Sequence, residues 1–259
     1  MLTDLRAAFA SWRVWTALGV ADFGLRFRRS FFGPFWIVLN FTILLATVGV
    51  LYGSLFDVDH REFLPSVAVG LVVWTFLSSS LADGGATFIQ FEGYIKQFTM
   101  PKQIYILRIL VSQCLVFVVG LGNVILVMLL CGRPPGWGSF HAGVGCIMLI
   151  AAVAIHDCLM AYLCTRFRDL LHAMGGILVV LFYVTPIVFT PDMLERRGLA
   201  MVYLVNPIHY LIEVVRFPLL RGEPASFDVY VVCGAYLLVT SAGALATAAI
   251  LDRDVSYLL

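Results

Sequence analysis

Charge is scarce in this chain of 259 residues, of which 13% are charged and 61% are hydrophobic. A soluble domain of that length needs far more charge to cover its surface, so the composition excludes an ordinary soluble fold. Lysine is almost absent and occurs only as Lys96 and Lys102. Neither lysine follows the GxxxxG loop with which an ATPase cradles phosphates, so we expect no ATP site and no catalytic residues on this chain.

Motifs for metals, disulfides and nucleic acid are lacking as well. The six cysteines contain no CxxC pair and lie in or beside apolar runs, where a free thiol behaves as a small hydrophobe. The net charge of +1 comes from short clusters rather than a basic face, which argues against a nucleic-acid partner. The first long apolar run begins near Ser30, too late for a cleavable signal peptide, so we expect the first span to be retained.

Long uncharged runs dominate what is present. Lipid offers backbone groups no partners, so a membrane span must be a helix of roughly 20 mainly apolar residues. We therefore predict an all-α polytopic membrane protein, a single domain over residues 1–259, with six transmembrane helices: Ser30–Phe56, Phe63–Ala82, Ile109–Gly132, Pro134–His156, Leu170–Pro191 and Val229–Leu251. A seventh run, Gly198–Ile212, is short and broken by Asn206-Pro207, which predicts a re-entrant segment within region 192–228.

The segments outside the spans predict how the chain sits in a membrane. More Lys and Arg residues lie on the side of the two termini than on the other, so the positive-inside rule predicts cytoplasmic termini, including the tail 252–259. Within residues 1–29, an apolar stripe recurs at helical spacing: Leu5, Phe9, Trp12 and Trp15. This stripe predicts an amphipathic helix lying in the membrane interface.

Ionisable residues inside apolar runs need an explanation, because burying one in hydrocarbon costs about 3 kcal/mol or more. Asp83 and the pair His156-Asp157 are such residues. Pairing with neighbouring helices or water is one reading and a proton relay the other. We favour pairing, since no chain of carboxylates crosses several spans. Two Asp-x-Asp patterns, Asp57–Asp59 and Asp252–Asp254, match a loose glycosyltransferase pattern that often arises by chance.

Four motifs occur in order along these runs, and together they resemble the ABC-2 type exporter permeases of O-antigen and capsule polysaccharides. The first lies at Arg26–Trp36 (RFRRSFFGPFW), the second at Ile95–Pro101 (IKQFTMP) after Trp74-Thr75-Phe76, the third is Phe167-Arg168-Asp169, and the fourth is YVTPI at Tyr183–Ile187 with Asn206-Pro207 and Arg216 downstream. Phenylalanine replaces the family's tyrosine and leucine in the first motif. Glutamine and methionine are departures in the second.

The resemblance implies roles for three groups of residues. Docking to a separate ATPase is implied for the cytoplasmic loop 91–104 and the junction near 168: Glu92, Tyr94, Lys96, Phe98, Met100, Pro101, Arg168 and Asp169. Entry of a lipid pyrophosphate is implied for Arg26, Arg28 and Arg29, whose planar guanidinium groups suit phosphate oxygens. Generic binding of anionic headgroups accounts for these arginines as well. An outer gate is implied for Pro186, Asn206, Pro207 and Arg216.

The function implied by the resemblance is that of the channel-forming subunit of an ATP-binding cassette exporter. It would move a polyprenyl-pyrophosphate-linked polysaccharide, of O-antigen or capsule type, outward across the bacterial inner membrane. Two copies of the chain would pair with two copies of a cytoplasmic ABC ATPase, which would carry the ATP and Mg, so that the chain itself has no cofactor and no metal. Alternatives are export of teichoic acid, a lipid or a drug, or a membrane-embedded glycosyltransferase.

Overall fold

The computed structural model describes residues 2–56, 59–98, 100–189, 194–195, 198–252 and 254–259. Over these ranges the chain forms helices and no strand, which confirms the predicted all-α class. A 3-10 helix at Trp137–His141 precedes α7. The helices in chain order are α1 (Leu2–Ala10), α2 (Trp12–Arg26), α3 (Phe35–Phe56), α4 (His60–Gln90), α5 (Glu92–Gln97), α6 (Gln103–Leu130), α7 (Ala142–Arg166), α8 (Arg168–Val184), α9 (Ala200–Leu204), α10 (Pro207–Arg221), α11 (Phe227–Leu251) and α12 (Val255–Leu258).

Four of the described helical segments are long and apolar enough to cross a membrane: α4, α6, Trp137–Arg166 and α11. A shorter apolar stretch, Phe35–Gly49, lies within α3. Helix α8 has 17 residues, which at 1.5 Å per residue reach about 25 Å and fall short of a hydrocarbon core of about 30 Å. A count of six spans therefore stays a prediction. The predicted end of the fifth run at Pro191 and the predicted start of the re-entrant region at 192 lie outside the described residues.

Several helices continue beyond the uncharged runs that predicted them. Helix α4 passes Asp83 and ends at Gln90, and α6 begins before Arg108. The charges are tolerated because both pair with α2, where Arg26 contacts Asp83 and Asp22 contacts Arg108. An ion pair to a neighbouring helix lets a helix continue past a charged residue without leaving that charge unpaired.

The predicted N-terminal interfacial helix consists of two helices, α1 and α2, that are separated at Ser11. The Ser11 hydroxyl donates to the Ala7 carbonyl (2.9 Å), a local bond of the kind that competes with the regular helix pattern. Phe9 and Trp12 of the apolar stripe are exposed, whereas α2 packs along α6. At Gly19 the two helices approach so closely that a Cβ would lie 2.6 Å from the Arg108 carbonyl oxygen.

Helix α4 lies at the centre of the bundle and packs against α3, α6, α7, α8 and α10. Val69 and Val73 on this helix are fully buried, and the Phe76 ring stacks on that of Phe117 with centroids 4.5 Å apart. One apolar core joins residues from α3, α4, α6, α7, α10 and α11. The core leaves the two ends of the bundle to carry the polar and exposed aromatic groups described next.

Candidate functional site: an exposed aromatic patch, a basic cluster and a buried polar lock

The short helix α5 presents a buried face and an exposed aromatic face. Ile95 is buried, whereas Tyr94 (56% exposed), Phe98 (51%) and Met100 (48%) point outward. The rings of Tyr94 and Phe98 stack with centroids 6.2 Å apart. Helix α5 and the residues that follow it thus expose three large apolar side chains, Tyr94, Phe98 and Met100, which we call the α5 patch.

Charged residues frame the α5 patch. Lys96 Nζ lies 2.6 Å from Glu92 Oε1, and this hydrogen bond lowers the pKa of Glu92 below its ordinary value. Arg168, at the start of α8, also lowers the Glu92 pKa by its charge, so the two predicted docking segments lie at the same end of the bundle. Asp169 is exposed beside Arg168, and Pro101 is half-buried after the patch.

The α5 patch rests on side chains that sequence motifs did not single out. Tyr162 of α7 donates to Asp252 Oδ1 (2.9 Å), and Lys102 Nζ lies 3.5 Å from the same oxygen. We call these three residues the base cluster. Lys102 precedes the first residue of α6, Tyr162 lies near the end of α7, and Asp252 follows the last residue of α11, so the cluster connects these three helices. The buried rings of Phe91 and Tyr105 stack beside the base cluster with centroids 5.3 Å apart. Ile95, on the buried face of α5, belongs to one apolar cluster with Tyr105 of α6, Tyr162 of α7 and Ala248 of α11, so α5 packs on the same end of these three helices.

The terminal helix α12 closes the same end of the bundle. Val255 is fully buried against α7, and the Arg168 guanidinium donates to the backbone oxygens of Leu258 and Leu259, both at 3.4 Å. Asp252, in the second Asp-x-Asp pattern, is engaged in the base cluster. Within the part of the chain that the structure describes, no three His, Cys, Asp or Glu side chains form a group that could hold a metal. Asp57 and Arg253 lie outside that part.

The predicted basic cluster divides into two kinds of arginine. Arg26 ends α2 and its Nη2 lies 3.2 Å from Asp83 Oδ2. Arg28 and Arg29 are exposed and form no ion pair with any described residue. Arg29 has a φ of 74°, in the left-handed region that side chains other than glycine rarely adopt. This turn presents two guanidinium groups that pair with no described residue beside one that is paired.

A cavity of about 100 Å³ opens beside Arg26 between α2, α3, α4 and α6. Its lining mixes a cation, three polar groups and aromatic rings: Arg26, Thr75, Ser79, Gln113, Phe41, Phe76 and Phe117, with Val72 and Val116. The arginine and the three polar side chains offer hydrogen-bond partners to an anionic or hydroxyl-rich group in this space. The cavity thus extends the basic cluster into the bundle.

The four residues predicted for the outer gate form a buried polar lock between the end of α8 and α10. Asn206 Nδ2 donates to Thr185 Oγ1 (2.9 Å), and Arg216 Nη1 donates to the Pro186 carbonyl (3.2 Å). Arg216 also pairs with Glu213. Pro207 is the first residue of α10, and Asn206 Oδ1 caps that helix by accepting from the Ile208 amide (3.0 Å). The predicted break at Asn206-Pro207 is therefore present.

Glycines bring α10 into close contact with the bundle. A Cβ on Gly145 of α7 would lie 2.2 Å from the Val214 carbonyl oxygen, and one on Gly138 would overlap the backbone of Gly222. The Ser139 hydroxyl donates to the Leu219 carbonyl (3.1 Å). Helix α10 is 15 residues long, and Leu211, Ile212, Val214 and Val215 on it are fully buried. The helix is thus in close contact with the bundle at Val214, Leu219 and Gly222.

The ionisable residues within apolar runs have partners on other helices, as we favoured. Asp83 contacts Arg26, His156 Nε2 lies 2.7 Å from the Tyr236 hydroxyl, and Asp157 Oδ1 accepts from Gln113 Nε2 at 3.4 Å. These partners lie on α2, α11 and α6. Among the described residues, each of these contacts links one pair of helices.

Comparisons with known proteins agree with this architecture. Residues 13–220, from α2 to the end of α10, match the family described as ABC-2 type transporter. The O-antigen export system permease protein RfbA of Myxococcus xanthus is 24% identical over 188 residues, 71% of each chain, and that of Klebsiella pneumoniae is 25% identical over 199 residues, 74% of each chain. The chain therefore belongs to the ABC-2 type transporter family, as a membrane permease homologous to O-antigen export permeases.

Proposed function

We propose that this chain is the channel-forming subunit of a polysaccharide exporter in the bacterial inner membrane, with both termini cytoplasmic. Two copies pair with two copies of a separate ABC ATPase, which carries the ATP and Mg. In this arrangement α3 and α8 complete six spans, and α9 and α10 form the re-entrant region at the outer side. The substrate is a glycan linked to a polyprenyl diphosphate.

The observation that carries the proposal is the α5 patch with the base cluster behind it. Tyr94, Phe98 and Met100 are exposed in a segment too short to fold alone, and exposed aromatic anchors are typical of residues that fill a partner's groove. Ile95 of α5 packs in one apolar cluster with residues of α6, α7 and α11, and the base cluster ties these helices together beside it. Movement of a docked ATPase would thereby reach three long helices.

The substrate assignment rests on the basic cluster. Arg28 and Arg29 are exposed and have no partner among the described residues, and bidentate guanidinium contacts suit the oxygens of a diphosphate. The cavity beside Arg26 adds hydroxyl, amide and aromatic groups of the kinds that bind sugars. Lysine in place of Arg28 or Arg29 keeps the positive charge but cannot form the two parallel hydrogen bonds of a guanidinium group. We expect Arg28→Lys to reduce export and substrate-stimulated ATP hydrolysis at normal membrane abundance; full activity would refute recognition of the diphosphate.

Alanine substitution of Tyr94 and Phe98 together tests the docking surface. Buried interface aromatics contribute about 1–2 kcal/mol each, so the double variant should lower ATPase co-purification at least about tenfold and abolish export. The double variant Trp137→Ala/Phe140→Ala is the control, because those rings are also exposed (88% and 77%) and adjacent (6.0 Å) but lie at the start of the α7 segment. Equal ATPase recovery with both double variants would show that the α5 patch only anchors the chain in lipid.

A further inference from the structure

Two ion pairs join α2 to the bundle, and their geometry differs. Arg108 Nε and Nη2 contact the two Asp22 carboxylate oxygens at 2.5 and 2.6 Å, and the side chains are only 15% and 23% exposed. Arg26 contacts Asp83 through a single nitrogen at 3.2 Å, with side chains 45% and 40% exposed. The first pair has two short bonds and little solvent, whereas the second has one long bond and much solvent.

This difference makes the first pair an anchor and the second an exchangeable contact. A bidentate pair shielded from water keeps its partners, because each group left alone would lose hydrogen bonds that it cannot replace. A half-exposed contact through one nitrogen is worth little and competes with water and ions. The α2 helix can therefore stay attached through Asp22 while Arg26 changes its partner.

The place of Arg26 indicates what the new partner is. Arg26 lines the cavity beside α4, and Arg28 and Arg29, which pair with no described residue, follow it after Phe27. A diphosphate carries more negative charge than a single carboxylate and offers oxygens to more than one guanidinium. It can hold Arg26 and the neighbouring arginines together, which Asp83 cannot do.

We propose that Asp83 is the resident counter-ion of Arg26, which the diphosphate of the entering lipid displaces, and that Asp83 sets the affinity that an anion needs before it occupies Arg26. The inference rests on the proposed function. A headgroup with one phosphate and a single charge, such as that of phosphatidylglycerol, competes poorly with a carboxylate already in place. Asp83 thus keeps abundant anionic lipids from occupying Arg26 while it yields to a diphosphate.

The test measures binding of a polyprenyl diphosphate to the purified full chain in nanodiscs of phosphatidylcholine, with and without phosphatidylglycerol as competitor. Asp83→Asn keeps the side-chain shape and removes the charge. We expect it to tighten diphosphate binding about two- to fivefold, the range of a half-exposed ion pair, and to raise the affinity for phosphatidylglycerol by no more than the same factor, because displacing Asp83 costs the same for either anion. Inorganic pyrophosphate is the second probe. If Asp83→Asn increases its affinity by the same factor, the displacement of Asp83 is due to the diphosphate group alone. If its affinity does not change, the displacement requires the whole lipid in the membrane.

Controls separate the exchange from general effects of charge. Glu62→Gln removes the carboxylate of another exposed pair, Arg133–Glu62 (47% and 52% exposed), and should leave both affinities unchanged. Arg26→Gln combined with Asp83→Asn should abolish the gain. Asp83→Ser provides a second charge-free variant whose behaviour should agree with that of Asp83→Asn.

Two outcomes would overturn the inference and are distinguishable. In the first, the unaltered chain binds the diphosphate, and Asp83→Asn and Asp83→Ser leave that affinity unchanged or weaken it. This result would reject the counter-ion role and leave the proposed function standing. Failure of the unaltered chain to bind the diphosphate at all would reject the proposed substrate, and the counter-ion role with it.

Discussion

The contact between Gly145 of α7 and α10 supports a quantitative prediction. An alanine Cβ at position 145 would lie 2.2 Å from the Val214 oxygen and 2.7 Å from the Val214 carbonyl carbon. Optimal nonbonded contacts are at about 3.5–4.0 Å, so α7 and α10 must separate locally by roughly 1 Å. Overpacking of this kind costs about 1–3 kcal/mol. Replacing glycine in a helix also gains about 0.5–1 kcal/mol in propensity, which opposes the clash.

Gly143 supplies the control, because it lies in the same first turn of α7 and a Cβ there meets nothing within 4 Å. Gly143→Ala should share the propensity gain without the clash, so the two variants should differ by about 1–3 kcal/mol, with Gly145→Ala the less stable. The half-life of the purified protein at a fixed high temperature in one detergent is a suitable measure, since membrane proteins commonly unfold irreversibly. Equal half-lives of the two variants would refute the close approach of α10.

Three further predictions address other contacts. Asp22→Asn should destabilise the folded protein by about 2–4 kcal/mol and so shorten the same half-life, because it leaves the largely buried Arg108 guanidinium without its carboxylate. An unchanged half-life would contradict the anchor role. Asn206→Ala should cost about 1–2 kcal/mol by removing the cap of α10, and a smaller loss with Asn206→Ser, which retains a capping hydroxyl, would confirm the cause. Gln97→Cys should react with a membrane-impermeant maleimide only in opened cells and Arg61→Cys in intact cells, and the reverse pattern would invert the topology.

The sequence predicted the positions of the helices better than their ends or partners. Uncharged runs located α3, α4, α6, α7, α8 and α11, because the requirement for apolar side chains in lipid acts on every residue of a span. The second run ended too early, at Asp83, and the third began too late, after Arg108. The local pattern does not contain the α2 side chains that neutralise these two charges. The Asp22–Arg108 pair joins residues 86 positions apart, and no periodicity connects them.

The candidate site was predictable to the extent that it consists of short motifs. The residues of the α5 patch and the polar lock lie in such motifs, and the structure brings the members of each group together. The base cluster was missed because Lys102, Tyr162 and Asp252 are single residues of common types at three distant positions. Asp252 did appear in the sequence as half of an Asp-x-Asp pattern, but its partners and not its spacing determine what it contacts.

The base cluster and the Gly145 contact lie near opposite ends of the same helix, α7. Helix α7 runs uninterrupted from Gly145 to Tyr162, a distance of about 25 Å at 1.5 Å per residue. A rotation of about 3° around the Tyr162 end would swing the Gly145 end by about 1.3 Å, which exceeds any slack in a contact where a single methyl group does not fit. Helix α10 would have to move with α7 rather than slide over it. A tilt of α7 at the base cluster would therefore displace α10, whose N-cap residue Asn206 and whose Arg216 make the contacts of the polar lock.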